Sequence, residues 1–426
     1  MIIESISGKT ACCEGKGIVF RSGNCMKVGK LESLDSRKSI DVDKKQRKVL
    51  VVVTFAVGGI RTGMRYVYSR LNPEKYTFSI LAYESTEREA LEEDANQFQT
   101  DKLIFIKPYH GYQFLFWAVL RELLKERYDL IHSHGIFAAL NVCFVNFLFR
   151  VPHIVSIHGL LEDTDINLPQ IFRTLLLRVI GFILGSANVM HHVGYDMETE
   201  YRRLFPRLEK SKCKIIVIQY GIDTSEYYNV ARVSFGDIRK KLRIESSTLV
   251  IGYLGRFMDR KGFPVLIKAV EIIEKLLLMP KDYVIVGVGS GDLRRRYERE
   301  VDSRALNKRI RFIPFQYDVA RILSEMDLVV MPSLWEAYGR VAAEVLCAGV
   351  PLVASDCLGL REVIKDTPAW PVPPGDPHAL AKAIINFAQM QPYEKFKSFK
   401  KEACDRFDIR KAASKIEQIF DELSLD

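Results

Sequence analysis

A chain of 426 residues is longer than one compact core organises, and the length predicts two domains. Its composition, 48% apolar and 27% charged with a mean hydropathy of −0.01, is ordinary for a soluble protein, and its eight scattered cysteines contain no Cys-x-x-Cys pair. Neither a zinc site nor a disulfide framework is therefore expected, and free thiols point to a reducing, cytoplasmic setting. The net charge of +9 implies an anionic partner, but no basic stripe interleaved with aromatics supports nucleic acid. Anionic substrates or an anionic lipid surface fit better.

Taken in chain order, residues 1–46 follow neither a helical nor a strand period and are expected to form a poorly ordered extension. Their apolar runs are broken by charges and glycines, unlike the core of a secretory signal. Ser7–Thr10 spell SGKT, but Ile3 stands where a phosphate loop needs glycine, and no strand precedes it. The run from Lys48 to Phe55 reads as a buried parallel strand, after which Gly58, Gly59 and Gly63 supply a flexible turn before a helix. Short apolar strands then alternate with helices as far as KIIVIQYGID. Within this stretch Leu130–Phe149 is uncharged, but its histidines and asparagines suit a strand, a turn and a packed helix better than a membrane span. The basic segment Tyr201–Lys214 carries Leu204, Phe205 and Leu208 among its charges, so it reads either as a solvated helix end or as a membrane-surface contact.

The alternation breaks over 226–247 and resumes from LVIGYLG. The expected organisation is an N-terminal domain over 47–225, a connection over 226–247 and a C-terminal domain over 248–405. A last helix over 406–426 is expected to pack back toward the first domain. Two Rossmann-like α/β halves would face a cleft lined by the carboxyl ends of their strands.

Two segments carry chemistry. In GRFMDRKGF, Arg256 lies at a strand's carboxyl end and Lys261 with Gly262 opens the next helix, two cations suited to a diphosphate. In PSLWEAYGRVAAEVLCAGVP a helix should start near Gly339 and stop at Gly349, before Pro351. The free amides of Ala337, Tyr338, Gly339 and Arg340 could then hold an anion. Glu336 precedes that helix. Glu344 sits inside it among apolar neighbours, so its carboxylate needs partners: ribose hydroxyls, or a neighbouring arginine.

These segments together resemble the retaining glycosyltransferases of the GT-B fold, family 4 or group 1 type, over residues 47–420. Glu336 and Glu344 match the family's Glu-x(7)-Glu, and Gly255, Arg256, Lys261 and Gly262 match its Gly-Arg-x(4)-Lys-Gly. His132–Gly135, Ser156–Gly159 and Tyr220–Asp223 match three further strand-end motifs, with Tyr220 in place of asparagine and Tyr338 in place of phenylalanine. The resemblance implies that Arg256 and Lys261 bind the donor diphosphate and that Glu344 binds the ribose. Glu336 and the amides after it would meet the donor sugar and phosphates, and Tyr338 would add a hydroxyl beside them. Gly58 and Gly59 would close over the donor, His158 would stand near the anomeric centre, and Ile313 to Tyr317, with Ile313 and Phe315, would form the base pocket. Trp335 and Arg340 receive no specific role.

His132 and His134 lie on one strand face without a carboxylate pair, which does not favour zinc. Asp-x-Asp occurs only at Asp41–Asp43 and Asp163–Asp165, so a metal-independent reaction with no cofactor is expected. The reading is transfer of a sugar from a nucleoside-diphosphate sugar to a lipid-linked or saccharide hydroxyl, in the cytoplasm or peripherally on the inner membrane face. The alternatives are a nucleotide-sugar 2-epimerase and a non-catalytic homologue.

Overall fold

The computed structural model describes residues 46–107, 113–161, 169–231 and 236–424. The expectations for the N-terminal extension, Ser7–Thr10, Asp41–Asp43 and Asp163–Asp165 fall outside those residues. Seven strands build the first sheet: β1 (Arg47–Val53), β2 (Tyr76–Tyr83), β3 (Thr100–Ile106), β4 (Leu130–His134), β5 (His153–Ile157), β6 (Val189–His192) and β7 (Lys214–Val217). They pair in parallel in the order β3-β2-β1-β4-β5-β6-β7. Helices α1 (Gly58–Tyr68), α2 (Arg88–Ala95), α3 (Gln113–Lys125), α4 (Ile136–Phe149), α5 (Gln170–Leu184) and α6 (Tyr195–Leu204) connect them. Two short helices, α7 (Ser225–Tyr228) and α8 (Asp237–Leu242), follow.

The second sheet holds β8 (Leu249–Leu254), β9 (Tyr283–Val288), β10 (Ile310–Ile313), β11 (Leu328–Met331), β12 (Leu352–Ser355) and β13 (Trp370–Val372). Its order is β10-β9-β8-β11-β12-β13, again parallel throughout. Its helices are α9 (Phe263–Leu276), α10 (Arg294–Ser303), α11 (Val319–Ser324), α12 (Arg340–Ala348), α13 (Leu360–Ile364) and α14 (Pro377–Met390). The chain ends in α15 (Tyr393–Arg406) and α16 (Ile409–Leu423). In both sheets the strand order reverses beside the first strand, between β1 and β4 and between β8 and β11. Loops leaving those strand ends diverge and open a crevice, which is where such sheets bind ligands.

Parallel strands covered on both faces read as unbroken apolar runs, and β1 shows why. Val49 through Val53 are wholly buried, each worth roughly 2 kcal/mol of transfer from water. One continuous apolar cluster runs from Val51 past Tyr220 and Ile222 to Val250, Val345 and Phe420, so the two halves share a core. The chain crosses between halves twice, side by side: Ile222 N–H donates to Phe407 O (2.8 Å) and Ile409 N–H to Ile222 O (3.1 Å). A Cβ on Gly221 would lie 2.1 Å from Phe407 O, so that crossing admits only glycine. Beyond it, α16 lies on α1, with Asp421 accepting from Arg47 (2.8 Å) and from the Tyr76 hydroxyl (2.6 Å) of the first half.

Leu130–Phe149 is a strand, a turn at Gly135 and a helix, and among the described residues no helix is long and apolar enough to cross a membrane. Two expectations need correction. Gly58, Gly59 and Gly63 belong to α1 and not to a flexible turn. Glu87 accepts from the Gly58 N–H (2.9 Å) and caps this end, and a Cβ on Gly63 would meet the Tyr220 ring at 3.0 Å. In Tyr201–Lys214 the apolar side chains Phe205 and Leu208 are buried against α5, so they cannot also face a lipid surface.

Candidate active site

The site forms where the loops after β8 and β11 meet the loops after β1 and β5. Gly262, with φ +69°, ends the β8 loop and caps α9; a Cβ there would lie 1.8 Å from Pro332 O. Only glycine lets the Lys261 loop lie on the β11 loop. Leu334 N–H donates to Arg260 O (2.8 Å), and the Arg260 guanidinium lies 4.4 Å over the Trp335 ring, a part for Trp335 that sequence reasoning did not find.

Lys261 Nζ donates to both oxygens of Glu336 (2.6 and 2.7 Å), and Ser333 Oγ donates to Glu336 Oε1 (2.8 Å). Burial works to raise the Glu336 carboxyl, but Lys261 and Ser333 outweigh it and hold the group below the ordinary carboxylate range. Sequence reasoning placed the two residues in one site without foreseeing that they pair. Two of the three ammonium hydrogens serve Glu336, leaving one for another acceptor. Arg256 is exposed on the same loop and makes no side-chain hydrogen bond among the described residues. Its Nη1 lies 3.9 Å from a Cβ built on Gly58, so the first half's α1 faces it directly. Gly59, beside Gly58, is exposed.

Helix α12 starts after Gly339, which adopts φ +76°, and ends at Gly349 with φ +73°. No hydrogen bond among the described residues occupies the amides of Ala337, Tyr338, Gly339 or Arg340. These free donors and the positive end of α12 favour an anion at this point. Glu344, one turn further on, is buried and accepts no hydrogen bond from the described residues. Arg340 Nε approaches its carboxylate to 3.6 Å, and burial pushes the group up to about 7. Both partners proposed for Glu344 thus have room: the arginine is near, and the hydrogen-bonding positions are unfilled.

Three placements differ from expectation. The Tyr338 ring is buried, and the groups acting on its hydroxyl are Arg406, Cys347 and Glu362, so it anchors the loop to the helices behind it and does not add a hydroxyl beside the donor. Ile313 ends β10 inside the core, whereas Phe315 and Tyr317 are exposed, so the proposed base pocket is split between core and surface. His158 follows β5 and is partly exposed, but its Nε2 lies 2.8 Å from His134 Nδ1, which ties it to a buried histidine cluster. Among the described residues no group of three or more His, Cys, Asp or Glu could hold a metal ion.

Residues 57–226 match the family model described as Glycosyltransferase Family 4, and residues 234–406 match that of Glycosyl transferases group 1. An uncharacterised glycosyltransferase of Methanocaldococcus jannaschii is 26% identical over 330 residues, 68% of this chain and 80% of that protein. A UDP-Gal:alpha-D-GlcNAc-diphosphoundecaprenol alpha-1,3-galactosyltransferase of Escherichia coli is 25% identical over 254 residues, 58% of this chain and 63% of that protein. The alignment to the second therefore spans under two thirds of its length. Among solved structures, Anabaena HepE in complex with UDP and glucose superposes with a TM-score of 0.73 at 20% identity, covering 88% of this chain and 100% of that one. Sucrose-phosphate synthase of Thermosynechococcus elongatus gives 0.70 at 21% identity, covering 89% and 99%.

Proposed function

The chain belongs to the glycosyltransferases of the family 4 and group 1 type, built on the GT-B fold, and from that premise we propose how its residues divide the work of moving a sugar from a nucleoside-diphosphate donor to a hydroxyl. The observation that carries the reading is Lys261, paired to Glu336 just ahead of four free amides at the α12 N-terminus, with Arg256 unpaired among the described residues on the same loop as Lys261 and facing α1. That set matches a diphosphate and not an uncharged sugar.

In this reading Arg256, Lys261 and the amides of Ala337 to Arg340 take the charge that grows on the departing diphosphate. Glu336 aims the Lys261 ammonium, and Glu344 accepts from the ribose. His158 meets the donor sugar from the opposite half. The acceptor hydroxyl attacks from the face the diphosphate leaves, which retains the anomeric configuration, with that phosphate as base. Protein cations and amides supply this stabilisation without a metal ion.

The acceptor is proposed to be lipid-linked or a saccharide, as the name of the Escherichia coli relative states for that protein's diphosphoundecaprenol substrate. The proposed membrane contact keeps the cations of Tyr201–Lys214 but takes its apolar side chains from the outer face of α4 and α5. There Phe147 is 77% exposed, Ile171 83% and Phe182 71%. Phe144, Phe147 and Phe182 line a groove of about 1200 Å³ together with Arg207, Lys210, Lys212 and Lys214. Aromatics beside four cations suit an anionic bilayer surface, and this supports the reading of a protein peripheral on the inner membrane face.

A radiolabelled nucleotide-sugar panel incubated with membrane extract tests the reaction. Label should enter the lipid or saccharide fraction, and Arg256→Ala or Lys261→Ala should lower turnover about 100-fold. Product formed from the donor alone, or full activity in both variants, would overturn the assignment.

A further inference from the structure

Five buried polar side chains beneath the crevice, and the partly exposed His158 at their end, form a single line of hydrogen bonds across β4, β5 and β6. His191 Nε2 lies 2.9 Å from Ile218 O, and its Nδ1 lies 2.8 Å from Ser156 Oγ. Ser156 Oγ lies 2.7 Å from His132 Nε2, and His132 Nδ1 lies 2.8 Å from the Tyr68 hydroxyl. The same hydroxyl lies 2.6 Å from His134 Nε2, and His134 Nδ1 lies 2.8 Å from His158 Nε2.

A backbone carbonyl can only accept, and this fixes the direction of every bond after it. Burial, the first cause in each case, lowers His132 and His134 well below the ordinary histidine range, His191 to about 4 and His158 to about 3, so each ring is neutral with one N–H. His191 must spend its hydrogen on Ile218 O, which leaves its Nδ1 to accept from Ser156. Ser156 then accepts from His132 Nε2–H, and the bare His132 Nδ1 accepts from Tyr68. A phenol has one hydrogen, so the Tyr68 oxygen must accept from His134 Nε2–H. The bare His134 Nδ1 then accepts from His158 Nε2–H. Ser156 also acts on the buried Tyr220 hydroxyl, and since the one Ser156 hydrogen is spent on His191 Nδ1, a bond between the two has Tyr220 as donor and leaves the order unchanged. No described residue bonds His158 Nδ1.

We propose that Tyr68, His132, His134, Ser156 and His191 are positioning residues that lock His158 as its Nε2–H tautomer, so that it meets the donor sugar only as a hydrogen-bond acceptor, through Nδ1. The contact with the sugar rests on the function proposed above; the tautomer does not. A ring held this way accepts from a sugar hydroxyl but has no hydrogen to offer the leaving oxygen. His158 therefore orients the donor and does not act as a general acid.

Nitrogen-15 spectra of histidine-labelled protein test the lock without using activity. The His158 ring should show a protonated Nε2 and a bare Nδ1 throughout neutral pH. Tyr68→Phe and Ser156→Ala cut the line at separate points and remove one oxygen each, and both should move the His158 ring signals toward a mixture of tautomers. Turnover should fall about tenfold in both with acceptor KM unchanged, and His158→Asn, whose amide oxygen can accept, should keep more activity than His158→Phe. A protonated Nδ1 in the wild type, or His158 signals unmoved in both variants, would overturn the proposal. A locked tautomer in a protein that transfers no sugar would instead count against the function.

Discussion

Glu344 joins burial to binding. Its carboxyl is pushed up to about 7 from an ordinary 4.5, first by burial and then by Glu226, against the pull of Arg340 and Lys261. Between those values the unfolded chain has released this proton and the folded chain has kept it. The stability this contributes is complete below about pH 4.5 and is lost as the pH rises through 7. Glu344→Gln cannot ionise, so its stability relative to wild type should gain about 3 kcal/mol across that interval. Denaturant titrations at the two ends measure it, and parallel pH dependence in both proteins would refute the assignment. Ribose hydroxyls donating to the carboxylate favour its charged form, so nucleoside-diphosphate binding near pH 6 should release a proton, visible by calorimetry in two buffers. That Glu344 would be buried was legible in its apolar helix context; that Arg340 would stop 3.6 Å short of it was not, because side-chain reach depends on packing. The Lys261–Glu336 pair was equally hidden, since the β8 and β11 loops meet only when β8 and β11 lie side by side.

Among the elements, α6 and α13 show a reciprocal contact between the halves. Helix α6 begins at Gly194, which has no side chain to cap it. Glu362 of α13 supplies the cap from the other half, accepting from Tyr195 N–H (2.9 Å), from Asp196 N–H and from Gln219 Nε2 (2.7 Å). Asp196 in turn accepts from Gly359 N–H (2.8 Å) and pairs with Arg361 Nε (3.1 Å). Each carboxylate thus sits on the positive end of the other half's helix. A Cβ on Gly359 would lie 2.2 Å from Glu336 O, so this clasp adjoins the donor loop. Glu362→Ala is expected to cost on the order of 1–2 kcal/mol, to open the crevice and to raise donor KM. Small-angle scattering with denaturant melts decides it: an unchanged radius and unchanged stability would show that the clasp holds nothing. Capping of this kind escapes a sequence reader, who searches for the cap next to the helix. The same limit hid Glu87, whose carboxylate turns a glycine-rich stretch into the start of α1.

For the whole molecule, part of the excess of +9 gathers beside exposed apolar surface among the described residues, at the groove between α4, α5 and the Pro206–Lys210 turn. If that face meets lipid, the protein should sediment with vesicles containing phosphatidylglycerol and not with pure phosphatidylcholine vesicles. Phe147→Ser with Phe182→Ser should abolish sedimentation without altering the melting temperature, because both rings are already exposed. Equal binding to both vesicle types, or binding retained by the double variant, would discard the membrane contact; a concentration-dependent dimer lost in the variant would assign the face to a second copy.

The sequence by itself determined the α/β alternation, the two halves and the glycine-bounded helix α12. Each of these is written in local signals: continuous apolar runs, helical periods and residues that tolerate left-handed backbone. It also determined the family and singled out Arg256, Lys261, Glu336 and Glu344. Only the tertiary structure decided what those residues do to one another. The Lys261–Glu336 pair, the clasp of Asp196 and Glu362 and the line of bonds from Ile218 to His158 join residues far apart in the chain, and strand order and register bring them within hydrogen-bond distance. Register has no local signature, because a strand's side-chain pattern fixes which face a residue takes and not which neighbour it meets there.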